Sequence, residues 1–171
     1  MKRFAARGFL AALLIAGAGA ALAENAAAEP RATILSFGRY ETQIAGKPEK
    51  AERTASGIVQ PVDGHRLLER SDVIVGQFGN TFGIELKLEN FPAGVAALTI
   101  RTTHPPLTND DTGKTMTVSE YDWPVAGRSK VYFGFTFDYR WEIAEGVWTK
   151  QLVHDGKVIA EKTFKIVVPL N

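Results

Sequence analysis

The sequence predicts an all-β protein, a single antiparallel β-sandwich of about seven to nine strands. From Thr33 onward, apolar residues recur at every second position, which is the period of a strand with one face toward water. Turn clusters rich in Gly, Pro, Asn and Asp separate these runs, and no stretch after residue 33 sustains the period of an amphipathic helix. Many short strands joined by frequent turns favour two packed sheets.

The apolar runs follow one another along the chain. The pattern begins at residues 34–40. The apolar positions of the later runs are Phe82, Ile84, Leu86 and Leu88; Leu98 and Ile100; Val131, Phe133, Phe135 and Phe137; and Phe164, Ile166 and Val168. A sandwich of this size needs large inward-facing side chains. The predicted core residues are Phe133, Phe135, Phe137, Trp148 and Phe164.

The last two strands form a predicted hairpin. Asp155-Gly156 is a preferred pair for a two-residue type I′ turn. That turn places Val153 opposite Val158, Leu152 opposite Ile159, and Lys150 opposite Glu161. The Lys150–Glu161 pair has opposite charges, and such a cross-strand pair stabilises a sheet by roughly 0.2–1 kcal/mol. Both faces of the hairpin then mix apolar and polar residues, so the sequence leaves open which face lies in the core.

The N-terminus has the three parts of a secretory signal peptide. Lys2, Arg3 and Arg7 give a positive start, residues 8–23 are an uncharged and mostly apolar run, and Ala21-Leu22-Ala23 is a small-x-small cleavage pattern. The run has 16 residues (23 − 8 + 1), fewer than the roughly 20 that span a bilayer. We therefore expect a cleavable signal at residues 1–23, a flexible leader at 24–32 and one domain at 33–171, in a periplasmic or secreted protein without a stable membrane anchor.

Composition excludes several classes of function. The chain has no cysteine, so it has neither a disulfide framework nor a thiolate metal site. The signal holds 3 of the 20 Lys and Arg residues and none of the 19 acidic ones, so the mature chain has 17 − 19 = −2 charges. Nucleic-acid binding needs clustered basic residues, and this mixed, near-neutral composition excludes it.

The C-terminal half resembles a known bacterial family. The segments Phe137-Asp138, Trp141-Glu142-Ile143, Gly146-Val147-Trp148, Asp155-Gly156 and Phe164 fit it in order, as do upstream Phe82-Gly83-Ile84, Phe91-Pro92-Ala93-Gly94, His104-Pro105-Pro106, Thr112-Gly113-Lys114 and Trp123-Pro124. On these segments the chain is similar to domain-of-unknown-function family 3859, over roughly residues 34–168. The resemblance implies an immunoglobulin-like domain of the bacterial envelope with no established activity, and it carries over no catalytic residues.

Motifs of catalysis and of cofactor binding are missing. No serine lies in Gly-x-Ser-x-Gly or three residues before a lysine, and there is no His-Glu-x-x-His. Gly113-Lys114-Thr115 resembles the end of a phosphate-binding loop, but Thr108 replaces the required earlier glycine and no helix pattern follows. We therefore expect a protein that is not an enzyme and has no cofactor and no metal centre.

Two groups of residues are candidates for a binding surface. His104 precedes a polar loop that carries Asp110 and Asp111, an imidazole and two carboxylates that supply part of a metal or ligand site. The alternative for this loop is a rigid strand exit in which Pro and Asp make turns. Trp123 and Trp141 are the aromatic candidates, since exposed tryptophans stack on sugars or anchor partner proteins.

Two functional hypotheses follow. The first is a non-catalytic binding or assembly module of the cell envelope that contacts a protein or a glycan through loops or a sheet edge. The second is a periplasmic ligand- or metal-binding protein that uses the loop at residues 104–113. The sequence does not predict the partner, the ligand or the oligomeric state.

Overall fold

The computed structural model describes residues 28–92, 94–95 and 97–169, which form eleven strands and one short 3₁₀ helix. The strands are β1 (Arg31–Ile44), β2 (Glu49–Lys50), β3 (Ile58–Val59), β4 (Val62–Glu69), β5 (Val73–Val75), β6 (Thr81–Glu89), β7 (Ala97–Thr108), β8 (Thr115–Pro124), β9 (Lys130–Thr136), β10 (Gly146–His154) and β11 (Lys157–Val167). The helix η1 (Arg140–Glu142) precedes β10. No helix in the described ranges has the length and apolarity to cross a bilayer.

Nine of the strands form two sheets. One sheet has the order β4-β1-β6-β9 and the other β5-β11-β10-β7-β8, while β2 and β3 pair separately. Neighbours run antiparallel except the short β5, which is parallel to β11. The predicted all-β class and antiparallel sandwich are confirmed.

The core lies between the inner faces of the two sheets. The Phe82 ring of β6 lies 5.7 Å from the Trp148 ring of β10 and 5.1 Å from the Phe164 ring of β11. Four of the five predicted core residues are buried, namely Phe133, Phe137, Trp148 and Phe164. Phe135 is half-buried and packs against this cluster from β9. The buried indole donates its Nε1–H to the Ala144 carbonyl at 3.0 Å.

The register of the last hairpin differs from the predicted one. Asp155-Gly156 does form the turn, and Val153 does lie opposite Val158. A register shift between Leu152 and Val153 then moves every earlier pair by one residue. The structure pairs Leu152 with Ala160, Gln151 with Glu161, and Lys150 with Lys162. The predicted Lys150–Glu161 pair was wrong, because a bulge that adds one residue to a strand is not encoded in the turn.

The same shift settles which face of the hairpin is buried. Trp148, Lys150 and Leu152 alternate along β10 and face the core, whereas Val147 on the opposite face is 63% exposed. Strand β1 begins at Arg31, so the ordered domain starts two residues before the predicted boundary at 33. The predicted signal at 1–23 lies outside the described residues.

Candidate ligand pocket

A pocket of about 520 Å³ opens beside the edge strand β9. Its walls come from both sheets, with Phe133 and Phe135 on β9 and Tyr121 and Trp123 on β8. Lys150 of β10 also lines it, from between the sheets. The pocket therefore runs from the edge of the sandwich into its core, and it has the size and aromatic character of a small-molecule site.

Residues 45–61, which we call the crossing segment, help to close this pocket. The segment leaves the four-stranded sheet after β1 and returns to it at β4, where the Ala45 amide donates to the Pro61 carbonyl at 2.9 Å. Between these points it contacts the five-stranded sheet, since the Glu120 amide of β8 donates to the Arg53 carbonyl at 2.8 Å. Ala55, at the middle of the segment, is buried and lines the pocket.

Lys150 is the most unusual residue of the pocket. Its side chain is 1% exposed, and its Nζ lies 5.3, 5.8 and 5.9 Å from the ring centres of Phe82, Phe133 and Phe135. Burial lowers the pKa of this ammonium to about 7, and no carboxylate among the described residues offsets that effect. Lysine is almost never fully buried without a partner, so an unpaired one that faces a pocket marks a functional site.

Two polar side chains extend from Lys150 across the inner face of the second sheet. The register places Thr102 of β7 directly opposite Lys150, and Ser119 of β8 directly opposite Thr102. Side chains that are directly opposite on antiparallel strands lie on the same face. Lys150, Thr102 and Ser119 are all buried, and all three line the pocket. They form a polar row of one amine and two hydroxyls inside an otherwise apolar layer.

Glu142 of η1 is a second buried ionisable group at the pocket. It is 3% exposed, and its Oε2 accepts hydrogen bonds from the backbone amides of Asp138 at 2.8 Å and Tyr139 at 3.0 Å. Burial raises the pKa of this carboxyl to about 7, against the opposing effect of the two amides. The carboxyl group orders the turn that joins β9 to β10.

A cluster of rings covers the outer face of β9. The Tyr132 ring stacks on the His65 ring at 4.2 Å and lies 4.8 Å from the Tyr40 ring. Gly134 makes room for it, because a Cβ at that position would lie 2.4 Å from the Tyr132 hydroxyl. That hydroxyl is buried without a hydrogen-bond partner in the described part of the chain, and burial raises its pKa.

The structure places His104 in the interior, not on a binding surface. The residue is 4% exposed, and its Nδ1 lies 2.9 Å from the Pro105 carbonyl oxygen. A carbonyl only accepts, so Nδ1 carries the proton and Nε2 accepts from the Ser119 hydroxyl at 3.0 Å. Burial lowers the pKa of His104, which keeps the ring neutral. Both ring nitrogens are therefore occupied.

The polar loop after His104 is a turn held by Asn109. Its Oδ1 accepts from the amides of Asp111 at 2.9 Å and Thr112 at 3.1 Å. Asp110 and Asp111 are exposed, and they are not brought together with the buried His104 ring. Within the ranges described, no three His, Cys, Asp or Glu residues are grouped as metal ligands. Strand β7 continues through Pro105 and Pro106 to Thr108, so the turn begins at Asn109 and not directly after His104.

The two candidate tryptophans occupy different places. Trp123 is half-buried, lines the pocket and packs edge-on against Tyr121 at 6.1 Å. Trp141 is half-buried in η1, stacked on Tyr139 at 5.4 Å, and is not part of the pocket wall. Sequence reasoning missed Lys150, although its position between Trp148 and Leu152 at a spacing of two was a usable signal for burial.

Comparisons with known proteins give a family and a fold. Residues 29–166 match the family described as "Domain of unknown function (DUF3859)". Among solved structures, the chain is similar to an immunoglobulin-like protein from Pseudomonas aeruginosa, with 20% identity and a TM-score of 0.61 over 83% of this chain and 99% of that chain. The fold is thus an immunoglobulin-like β-sandwich. The comparison with curated proteins gave no match.

Proposed function

This chain belongs to the DUF3859 family, and we propose that it is an exported, non-catalytic binding domain that takes a small ligand into the pocket at Lys150. The observation that carries the proposal is a fully buried amine, without a carboxylate partner in the described residues, at the inner end of a pocket of about 520 Å³. A structural core gains nothing from such a group, since burying a lone charge costs several kcal/mol. A ligand that contacts the amine supplies the missing partner.

The arrangement of Ser119 and His104 favours binding over hydrolysis. A serine beside a neutral histidine is the start of a nucleophilic pair. Here, however, the Ser119 oxygen also accepts the Ala55 amide at 3.2 Å, which fixes the crossing segment to β8. The Ser119 hydroxyl therefore joins His104 and the crossing segment in the pocket wall.

Export is supported by the N-terminal sequence. The basic start, the apolar run at residues 8–23 and the Ala21-Leu22-Ala23 site form the pattern of a cleaved signal. N-terminal sequencing of protein purified from the periplasmic fraction tests this, and we expect a chain that starts at Glu24. Protein in the cytoplasmic fraction with Met1 intact would contradict it.

A thermal-shift screen tests ligand binding. The panel contains neutral sugars, sugar acids, aliphatic and aromatic acids, the matching alcohols and amines, and short peptides. A ligand at 100 times its Kd adds about 2.7 kcal/mol of stability, so a true ligand raises the unfolding midpoint clearly. Lys150→Met is the test variant, and Lys165→Met, at an exposed position of β11, is its matched control. The proposal fails if no compound shifts the wild type, or if Lys150→Met responds like Lys165→Met.

The free edge of β9 supports a second candidate, recognition of an envelope protein by strand addition. Among the described strands, β9 is the last of its sheet and pairs only with β6. An unpaired edge offers backbone groups to an incoming strand. A photo-crosslinking residue in place of Lys130 on β9 would then capture an envelope protein, and one in place of Lys157 on β11 would not. Equal capture at both positions would contradict this candidate.

A further inference from the structure

We propose that the ligand of this pocket is an organic acid with an aromatic or aliphatic body, bound by an ion pair between its carboxylate and Lys150. This inference rests on the proposed binding function and names the chemical class of the ligand. It stands on two features of the pocket: a buried amine without a carboxylate partner among the described residues, and aromatic walls.

Charge complementarity selects an acid. Lys150 and Arg39 are the basic residues among those that line the pocket, and Glu41, Asp138 and Glu142 are the acidic ones. Arg39 faces Glu69 at 3.6 Å, Glu41 faces Arg66 at 2.7 Å, and Glu142 accepts the amides of Asp138 and Tyr139. Lys150 has no such partner among the described residues, and an acid supplies one. A carboxylate in contact with the ammonium form of Lys150 makes a charge-assisted hydrogen bond, about twice as strong as a neutral one. An amine ligand would gain no ion pair with Lys150.

The walls select an apolar body. Phe133 and Phe135 on one side and Tyr121 and Trp123 on the other present ring surfaces to the pocket. Rings of this kind pack against aromatic or aliphatic groups and exclude water. A low-dielectric environment strengthens the ion pair at the inner end. A small hydrophilic acid would fill neither the volume nor the apolar surface.

Binding of an acid should be accompanied by uptake of a proton. In the free protein, burial favours the neutral amine of Lys150, whereas a carboxylate in contact with it favours the ammonium. Above neutral pH the complex therefore binds a proton that the free protein lacks. Neutral sugar hydroxyls held by hydrogen bonds alone would not produce this linkage.

Other ionisable groups line the pocket or lie on strands next to Lys150, and their titration must be separated from that of its amine. They are His104 on β7, Tyr121 on β8, Tyr132 on β9, Tyr40, Arg39 and Glu41 on β1, Asp138 and Glu142 before β10, and Lys162 on β11. Burial raises the pKa of all three tyrosines, which stay neutral near pH 8. Glu142 is the competing site, because burial raises the pKa of this carboxyl to about 7. Glu142→Gln removes its contribution.

Isothermal titration calorimetry with matched probes tests the inference. The probes are three series that differ only in the terminal group: octanoate, octanol and octylamine, and the phenylpropyl and indolylpropyl equivalents. Titrations at about pH 8 in phosphate and in Tris, which differ in ionisation enthalpy, give the number of protons bound. We expect at least one acid to bind about tenfold or more tightly than its alcohol, with uptake of up to about one proton.

The variants decide which group is responsible. Lys150→Met should bind acid and alcohol equally and take up no proton, whereas Lys165→Met should behave like the wild type. Glu142→Gln alters a residue of the pocket lining, but proton uptake on binding of the acid should persist in it, because Lys150 is retained. Equal binding of acid and alcohol by the wild type, an amine that binds best, or proton uptake that persists in Lys150→Met would overturn the inference. If some other class in the thermal-shift panel binds and these acids do not, the acid assignment alone fails. If nothing binds at all, the proposed function itself fails.

Discussion

The Nζ atom of Lys150 lies 5.3 Å from the centre of the Phe82 ring, inside the core of the sandwich. An aromatic ring attracts an ammonium by roughly 0.5–2 kcal/mol. Removing that charge from water costs several kcal/mol. The rings therefore offset only part of the cost, and the pKa of the amine falls to about 7. This one relationship gives the protein a pocket whose charge responds to pH and to what occupies it.

Lys150→Met should change how stability depends on pH. Between about pH 7 and pH 10 the amine is protonated in the unfolded chain and neutral in the folded one, because burial lowers its folded pKa to about 7. The free energy of unfolding of the wild type thus gains up to about 1.4 kcal/mol per pH unit as pH rises through this window. Methionine does not titrate and adds no such pH dependence. The difference in free energy of unfolding between Lys150→Met and the wild type should therefore shrink by up to that amount for each pH unit.

Urea denaturation at about pH 7, 8 and 9 measures this difference. For Lys165→Met, whose position is exposed, the free energy of unfolding should change with pH as it does in the wild type. If the same pH dependence is found for Lys150→Met, the Lys150 amine is hydrated in the folded protein.

Glu142 should have the opposite pH dependence. Its folded pKa is raised to about 7, so between about pH 4.5 and 7 the folded state holds a proton that the unfolded chain has lost, and stability falls as pH rises. Glu142→Gln keeps an oxygen acceptor for the amides of Asp138 and Tyr139 and should remove this fall. Glu142→Ala leaves both amides without that acceptor and should cost about 1–3 kcal/mol at every pH. Denaturation midpoints measured between about pH 4.5 and 7 test this prediction. Equal midpoints for Glu142→Gln and Glu142→Ala at every pH would contradict it.

Gly134→Ala should destabilise the protein by about 1–3 kcal/mol. The new methyl group would lie 2.4 Å from the Tyr132 hydroxyl, and the ring cannot retreat easily because it is stacked on His65. Gly94→Ala, at a position with nothing within 4 Å, is the control. Adding Tyr132→Phe should recover part of the loss, since it removes the clashing oxygen. Additive effects in this double-mutant cycle would show that the two positions are independent.

Trp148→Ala should lower the free energy of unfolding by about 3–5 kcal/mol. The side chain has no exposed surface, packs on the Phe82 ring of the opposing sheet and lies directly opposite Phe164 on the adjacent strand β11. Val147→Ala, on the exposed face of the same strand, should stay within about 0.5 kcal/mol of the wild type. A denaturation midpoint for Trp148→Ala equal to that of Val147→Ala would place the indole outside the cooperative core.

Ser119 and His104 should have a structural role, in which the Ser119 hydroxyl links the crossing segment to the His104 ring. We do not expect them to form a nucleophilic pair or a metal site. Ser119→Ala removes a partner from both the Ala55 amide and the His104 ring and should cost about 1–3 kcal/mol. A fluorophosphonate probe should not label the wild type, and EDTA should leave its thermal midpoint unchanged. Labelling that depends on Ser119, or a fall in the midpoint on chelation, would establish a chemistry that we do not expect.

Much of the fold could be predicted from local patterns. The two-residue alternation from Thr33 gave the all-β class, because the period of side chains along a strand is fixed by backbone geometry. The Asp155-Gly156 turn and the core positions Phe133, Phe137 and Phe164 follow from the same short-range rules. The partial exposure of Trp123 was predicted from its place beside Pro124, and the side chain is half-buried and lines the pocket; its role in binding stays a prediction.

The pocket itself could not be predicted. Its polar row joins β10, β7 and β8, and its far wall belongs to the other sheet, so it depends on pairings between residues distant along the chain. His104 and Lys150 show the two directions of error. The histidine beside a polar loop looked available but is enclosed by Trp148 and Ser119. The lysine was predicted to lie opposite Glu161, but it lies opposite Lys162 and is buried.

The sequence alone determined the strand class, the Asp155-Gly156 turn and the family resemblance, because each rests on neighbouring residues and backbone geometry. Only the tertiary structure decided which face of β10 enters the core and what Lys150 meets there. The physical reason is that both faces of that strand carry apolar side chains, and a single register shift between Leu152 and Val153, together with the opposing sheet, selects between them.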